Sequence, residues 1–226
     1  MVIAIDGPGG VGKSTVSARV AHALGYPHLD TGSTYRAAGL LALRSGTDLS
    51  DAEAVVAAVH EADITIEEGV VVVDGVDVTE ELRADEVTAA SSIVAAHPEV
   101  RSGLVALQRS WVAEHDGAAV VEGRDIGTVV FPHAPVKIYL AARPEVRAAR
   151  RATDAEAATK TLDQIASELA ARDHADSTRV ASPLRPADDA IVVDTSDLGI
   201  EEVVATVLEV VEQAIANLRC GDQFPS

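Results

Sequence analysis

One cysteine in 226 residues, Cys220, rules out an internal disulfide and a cysteine zinc site and points to a reducing compartment. Aromatic residues are 3% of the chain against 47% hydrophobic residues, so the interior must be built from Val, Ala, Leu and Ile. That composition suits parallel strands covered on both faces by helices. No segment is apolar enough to span a bilayer, and Val2-Ile3-Ala4-Ile5 lacks the basic and long apolar regions of an export signal. A cytoplasmic protein with no membrane partner is expected. Lysine is scarce too: Lys13, Lys137 and Lys160 are the only three, so nearly all positive charge is arginine. With 36 acidic and 18 basic side chains the formal net charge is -18, and such a shell repels the phosphate backbone of a nucleic-acid polymer. Any phosphate site must therefore be locally basic and built from arginine, whose planar fork matches phosphate oxygens in pairs.

The length fits one α/β folding unit, and a monomer is expected. Short apolar runs at 2–5, 118–121, 136–140 and 190–193, with a further candidate at His28-Leu29, read as buried strands. Helical spacing occupies 13–24, 33–45, 50–61, 98–114, 144–152, 161–172 and 200–218, with starts at Ser50, Pro98 and Pro144. The alternation predicts an α/β fold with a parallel central sheet between helical layers. It is interrupted at 64–78, where β-branched residues punctuated by Gly69 and Asp74-Gly75 read as a small antiparallel meander. Residues 219–226 read as a frayed tail.

Gly7-Pro8-Gly9-Gly10-Val11-Gly12-Lys13-Ser14 matches G-x-x-x-x-G-K-[ST] between the first strand and the first helix, the context that a P-loop requires. Its backbone N–H groups would cradle the phosphates of ATP, with Thr15 continuing the helix start. Lys13 would bridge the β- and γ-phosphates, and the Ser14 hydroxyl would ligate Mg²⁺. A guanine-reading Asn-Lys-x-Asp segment is not suitably placed, and the length leaves little room for the sensor elements of large ATPase machines. Small-metabolite kinases remain.

Arg147, Arg150 and Arg151, at i, i+3 and i+4 on one predicted helix, read either as an anion site or as a solvated basic face paired with Glu145 or Asp154. Arg172, Asp176 and Arg179 read either as an ion-pair ladder or as a lid segment that lays arginines over phosphate. Ser92, in a helical Ala-rich stretch, has the look of an ordinary packing residue.

Ile5-Asp6-Gly7-Pro8, Leu29-Asp30-Thr31-Gly32-Ser33-Thr34-Tyr35-Arg36, the run from Glu122 through Gly123-Arg124-Asp125-Ile126-Gly127-Thr128 to Pro132, and the run from Arg172 to Arg179 followed by Ser182-Pro183-Leu184 together resemble the bacterial cytidylate kinases, a branch of the nucleoside monophosphate kinases. The resemblance runs nearly end to end. It implies a P-loop NTPase fold over 1–226 with a helical lid at about 147–162 and an enlarged monophosphate-binding insert at about 63–90. It also implies that ATP phosphorylates CMP or dCMP with Mg²⁺. Matching segments place the acceptor phosphate on Arg36 and Arg124, and the base on Thr31, Ser92, Arg101, Asp125 and Arg179. Arg172 and Asp176 are implied to hold the sugar, and Arg147, Arg150 and Arg151 to close over ATP. Cytosine offers acceptors at N3 and O2 and a donor at N4, which suits arginine and hydroxyl donors with an aspartate acceptor. Two rivals stay open: a kinase of another acceptor such as UMP, AMP or shikimate, and a non-catalytic nucleotide sensor.

Overall fold

The computed structural model describes residues 1–67, 69–154, 157 and 159–221. Its centre is a five-stranded parallel sheet of β1 (Val2–Asp6), β2 (His28–Asp30), β6 (Ala119–Gly123), β7 (Val136–Ala141) and β8 (Ile191–Asp194), in the order β2-β6-β1-β7-β8. Register follows Ile5 opposite both Glu122 and Ile138. Alternation along β1 sends Ile3 and Ile5 to one face and Ala4 to the other, and β6 sends Val120 one way and Ala119 and Val121 the other. On the first face α1 (Lys13–Leu24) and α8 (Ile200–Gly221) bury Val16, Val20, Val203, Val207 and Val211 against the sheet. On the second, α2 (Thr31–Arg44) and α5 (Pro98–Glu114) contribute Ala37, Leu40, Val105 and Trp111. Because α2 begins at Thr31 directly after β2 ends at Asp30, its first turn lies at the C-terminal edge of the sheet.

The expected meander is an antiparallel sheet of β3 (Ile64–Glu67), β4 (Val70–Val73) and β5 (Val76–Asp77). Trp111 Nε1 donates to the Ile66 carbonyl at 2.7 Å and moors it to α5. Helix α3 (Ala52–Glu61) precedes it, and α4 (Asp85–Val94) follows it to pack along α2. The spacing argument had noted only an Ala-rich stretch at α4. Between β7 and β8 lie α6 (Pro144–Arg151) and α7 (Leu162–Thr178).

Several boundaries depart from the sequence reading for local reasons. Helix α2 starts at Thr31 rather than 33, because Asp30 caps it by accepting from Gly32 N at 2.8 Å. Helix α3 starts at Ala52, since Asp51 caps Ala54 N at 3.1 Å while Ser50 turns back to Asp48. Helix α7 opens on a Thr161–Gln164 capping box and runs to Thr178, six residues past its expected end at 172. Helix α8 continues to Gly221 where a frayed tail from 219 was expected, and residues 222–226 of that tail lie outside the described residues.

Candidate active site

Open parallel sheets bind ligands beyond the carboxyl ends of their strands. Here β1 delivers Gly7 and β6 delivers Gly123 and Arg124 to that edge, side by side. The loop from Gly7 to Gly12 turns the chain into α1, which begins at Lys13 with no acidic residue in its first turn. Gly10 has φ +76°, and a Cβ there would stand 2.8 Å from the Arg147 carbonyl, so both conformation and space require glycine. The first-turn N–H groups of α1, with Ser14 and Thr15 exposed, face outward without intrahelical partners, a ready anion seat. Lys13 Nζ donates to the Pro8 carbonyl at 2.9 Å. Burial, then the positive charge of Arg124, pushes Lys13 down to about 7.

Beside this loop, Ser14 Oγ donates to Glu122 Oε2 at 3.1 Å, and His28 Nε2 lies 3.1 Å from Glu122 Oε1. Burial, then the charge of Asp30, raises Glu122 above the usual carboxylate range. Asp30 is pulled upward by burial, but Arg36, at 2.7 Å, and the Gly32 N–H hold it below that range. One hydroxyl and a buried carboxylate are hard oxygen donors, the set that suits Mg²⁺ completed by phosphate oxygens. Among the described residues no cluster of three or more His, Cys, Asp or Glu is placed to hold a metal ion.

Further along the cleft Arg124 donates to the Gly7 carbonyl and pairs with Asp176 at 2.9 Å. Asp176 also receives Arg179 at 3.2 Å. Arg101 is 4% exposed, is paired with the equally buried Asp125, and lies over the Tyr35 ring at 5.1 Å. Arg101 Nε, Arg179 Nη2 and Tyr35 Oη are buried without a hydrogen-bond partner among the described residues. Three unsatisfied polar atoms around one cavity are costly unless a polar ligand meets them. Thr31 spends its hydroxyl hydrogen on the Glu122 carbonyl at 2.7 Å and retains its oxygen as an acceptor. Ser92 is exposed at the pocket wall, where it donates to the Thr88 carbonyl at 3.3 Å; the buried packing residue is its neighbour Ser91.

The arginines of α6 diverge. Arg147 pairs with Asp173 and donates to the Gly9 carbonyl at 3.1 Å, while Asp173 accepts from Gly9 N at 3.3 Å. Arg150 donates to the Val11 carbonyl and to both oxygens of Thr195, joining the P-loop to the end of β8. Arg151 pairs with Asp154 at 2.7 Å and borders a second cavity of about 490 Å³ with Lys160, Ile165, Leu169 and Arg172. Of the two readings of these three arginines, an anion site or a basic face paired with Glu145 or Asp154, Arg151 follows the second by pairing with Asp154, while Arg147 and Arg150 turn toward the P-loop. Nor do Arg172 and Arg179 bracket Asp176 as spacing along one helical face suggested. Arg124 supplies the second guanidinium, and Arg172 makes no hydrogen bond to any described residue. Burial, then Arg124, with Arg36 and Arg151 adding to them, pushes Arg172 down to about 10.

One pocket of about 170 Å³ is lined at one end by Lys13 and Ser14, at the other by Tyr35, Arg101, Asp125 and Arg179, and between them by Arg36, Arg124 and Arg172. Sequence spacing gave no role to Tyr35, Asp173 or Asp6, although all three lie inside or beside the motifs that carried the resemblance. Their tasks appear only when β1, α2, β6 and α7 meet.

A phosphate-binding loop facing a second cationic pocket across the carboxyl edge of a parallel sheet defines a P-loop phosphotransferase, an enzyme that brings two phosphorylated molecules together. Residues 3–213 match the family model described as cytidylate kinase. The chain is 49% identical to a cytidylate kinase of Rhodococcus opacus strain B4, over 94% of this chain and 95% of that protein. It is also 49% identical to one of Nocardia farcinica, over 96% and 95%. A solved gluconokinase from Sinorhizobium meliloti 1021 aligns over 97% of this chain and 96% of its own, at 16% identity and a TM-score of 0.49. The chain belongs to the cytidylate kinase family.

Proposed function

We propose that this protein transfers the γ-phosphoryl group of ATP to CMP or dCMP, giving ADP and the cytidine diphosphate. The observation that supports it most is the continuity of the cleft, with a P-loop lysine and serine at one end and a buried Arg101–Asp125–Arg179 set with unsatisfied donors at the other. Residues 7–15 hold ATP, with Lys13 on its terminal phosphates. Arg36 and Arg124 hold the acceptor phosphate, and Arg172 and Asp176 the sugar. Thr31, Ser92, Arg101, Asp125 and Arg179 read the base. Their donors match cytosine N3 and O2, and the Asp125 carboxylate matches N4; uracil presents the opposite sense at N3 and position 4. Ser14 would hold Mg²⁺ with Glu122 behind it, and the ion would supply charge neutralisation between the β- and γ-phosphates. Arg147 approaches the donor phosphates from the P-loop apex, Arg151 approaches them from the lid, and Arg150 fixes the loop on which they rest.

No side-chain base is needed, because the acceptor phosphate oxygen is already anionic at neutral pH. The side chains hold two repelling anions in line and spread their charge over guanidiniums. We assign residues 63–90 to the acceptor-binding insert and 147–162 to the lid of a single domain, residues 155, 156 and 158 of the lid lying outside the described residues. A monomer acting in the cytoplasm on small molecules agrees with the net charge of -18 and the single cysteine. Among the described residues no helix is long and apolar enough to cross a membrane.

The test is an acceptor screen with ADP detection over CMP, dCMP, UMP, AMP and shikimate. CMP and dCMP are expected to turn over far faster than the others. Preference for UMP, AMP or shikimate overturns the base assignment, and ATP binding without transfer to any acceptor indicates a sensor.

A further inference from the structure

Asp6 touches neither phosphate nor base in the scheme above, yet it is 4% exposed and both its carboxylate oxygens are committed. Oδ1 accepts from Ile126 N and Oδ2 from Gly127 N, each at 2.8 Å. Those two N–H groups open a single π-type turn, Ile126–Val130, which closes when Val129 N and Val130 N donate back to the Asp125 carbonyl at 2.8 and 3.1 Å. The two residues before the turn are Arg124 and Asp125. The residue after Asp6 is Gly7, whose carbonyl accepts from Arg124 Nη1. A single carboxylate therefore joins the first residue of the phosphate loop to the backbone that carries Arg124 and Asp125.

The turn packs closely on this carboxylate: a Cβ at Gly127 would stand in ordinary contact with Asp6 Oδ2, at 3.4 Å, and 3.2 Å from Cδ of the flexible Lys137 stem. Burial pushes Asp6 up to about 6, against the pull of its two N–H donors, with Asp125 adding to the rise and Lys13 opposing it. The fold retains a group that would be more comfortable in water.

We propose that Asp6 is a positioning residue that holds Arg124 and Asp125 in register with the P-loop, and so sets where the acceptor nucleotide lies relative to the donor phosphate. This rests on the reading of Arg124 and Asp125 as acceptor-binding residues. A carboxylate meets two N–H groups at once, whereas an amide accepts with one atom and presents its own N–H with the other.

The experiment compares Asp6→Asn, Asp6→Glu and Arg124→Met with the parent protein, measuring KM for CMP, KM for ATP and the ratio of kcat/KM for CMP over UMP. Asp6→Asn is expected to raise the CMP KM at least about tenfold and lower the CMP preference, with the ATP KM changed by less than about twofold. Asp6→Glu, which keeps the charge but moves the carboxylate by one methylene against N–H groups now met at 2.8 Å, should move the same quantities in the same direction. A folded Asp6→Asn protein with unchanged CMP KM and preference overturns the proposal, as does an equal rise in both KM values. Should Asp6→Asn fail to fold, Asp6→Glu decides alone, and an unchanged CMP KM and preference there overturns it. Arg124→Met separates the two levels. If it leaves the CMP KM intact, the acceptor reading itself falls; if it raises that KM while Asp6→Asn does not, only the clamp falls.

Discussion

Replacing Arg172 by Met should make the ligand-free protein more stable and the enzyme worse. The guanidinium makes no hydrogen bond to a described residue and is pushed from the ordinary arginine value down to about 10 by burial and then by Arg124, against the attraction of Asp176. At about 1.4 kcal/mol for each pH unit, that interval bounds the unfavourable energy of the charged form at about 3 kcal/mol. Screening in a water-filled cleft leaves about 1–2 kcal/mol. Methionine keeps the apolar stem beside Leu169 and Ile165 in the second cavity, and Asp176 keeps Arg124 and Arg179 as partners. For a chain of this length the gain corresponds to a rise in Tm of about 2–6 °C, shrinking as salt is added. A charge-assisted hydrogen bond to substrate contributes about 1.5–3 kcal/mol, so kcat/KM for CMP should fall about 10- to 100-fold. Calorimetry without nucleotide and steady-state kinetics measure the two halves. A variant that melts lower than the parent and phosphorylates CMP as well as it does would show Arg172 to be an ordinary structural residue, and would refute the argument from crowded cations.

Lys13→Ala should abolish transfer, lowering kcat by at least about 10²–10³-fold while the circular dichroism spectrum stays that of the parent; normal turnover would end the P-loop assignment. Asp125→Ala leaves Arg101, 4% exposed, without its carboxylate, so unfolding titration should show a loss of about 3–5 kcal/mol together with a reduced preference for CMP over UMP. Unchanged discrimination between the two acceptors removes Asp125 from base recognition. The pH dependence of stability should carry the mark of Asp6. Its carboxyl group rises from 3.8 in the unfolded chain to about 6 in the fold, so the stability it contributes is fully present below about pH 4 and lost as pH rises through 6. That interval amounts to about 3 kcal/mol. Asp6→Asn, which does not titrate, should therefore gain about that much relative to the parent between pH 4 and 7, read from unfolding midpoints; a constant difference across the range contradicts it.

The P-loop was legible because its mechanism is local. Glycines that permit the turn, a lysine and a serine at a helix start, and the strand before them lie within fifteen residues, so spacing alone carries the chemistry. The strands were legible for a related reason: buried parallel strands are short apolar runs, and Val, Ile and Ala leave little else for 2–5, 118–121 and 136–140 to be. Helix ends were less so, because side-chain caps such as Asp30 and Asp51 decide them.

The acceptor pocket is a different matter. Its charges come from α2, α5, the end of β6 and α7, and which arginine meets which acid depends on how those elements converge. Spacing along α7 paired Arg172 with Asp176, but packing brought Arg124 to that carboxylate and left Arg172 among other cations. Spacing along α6 joined Arg147, Arg150 and Arg151, but the P-loop apex, the β8 end and the lid drew them apart. The sequence by itself settled that a nucleotide's phosphates would be bound, since that seat is made of neighbouring backbone. Only the tertiary structure decided which arginine meets which acid in the cleft where we place a second phosphate and a base, because electrostatic partnership falls off over a few ångströms and is set by which distant segments come within that reach.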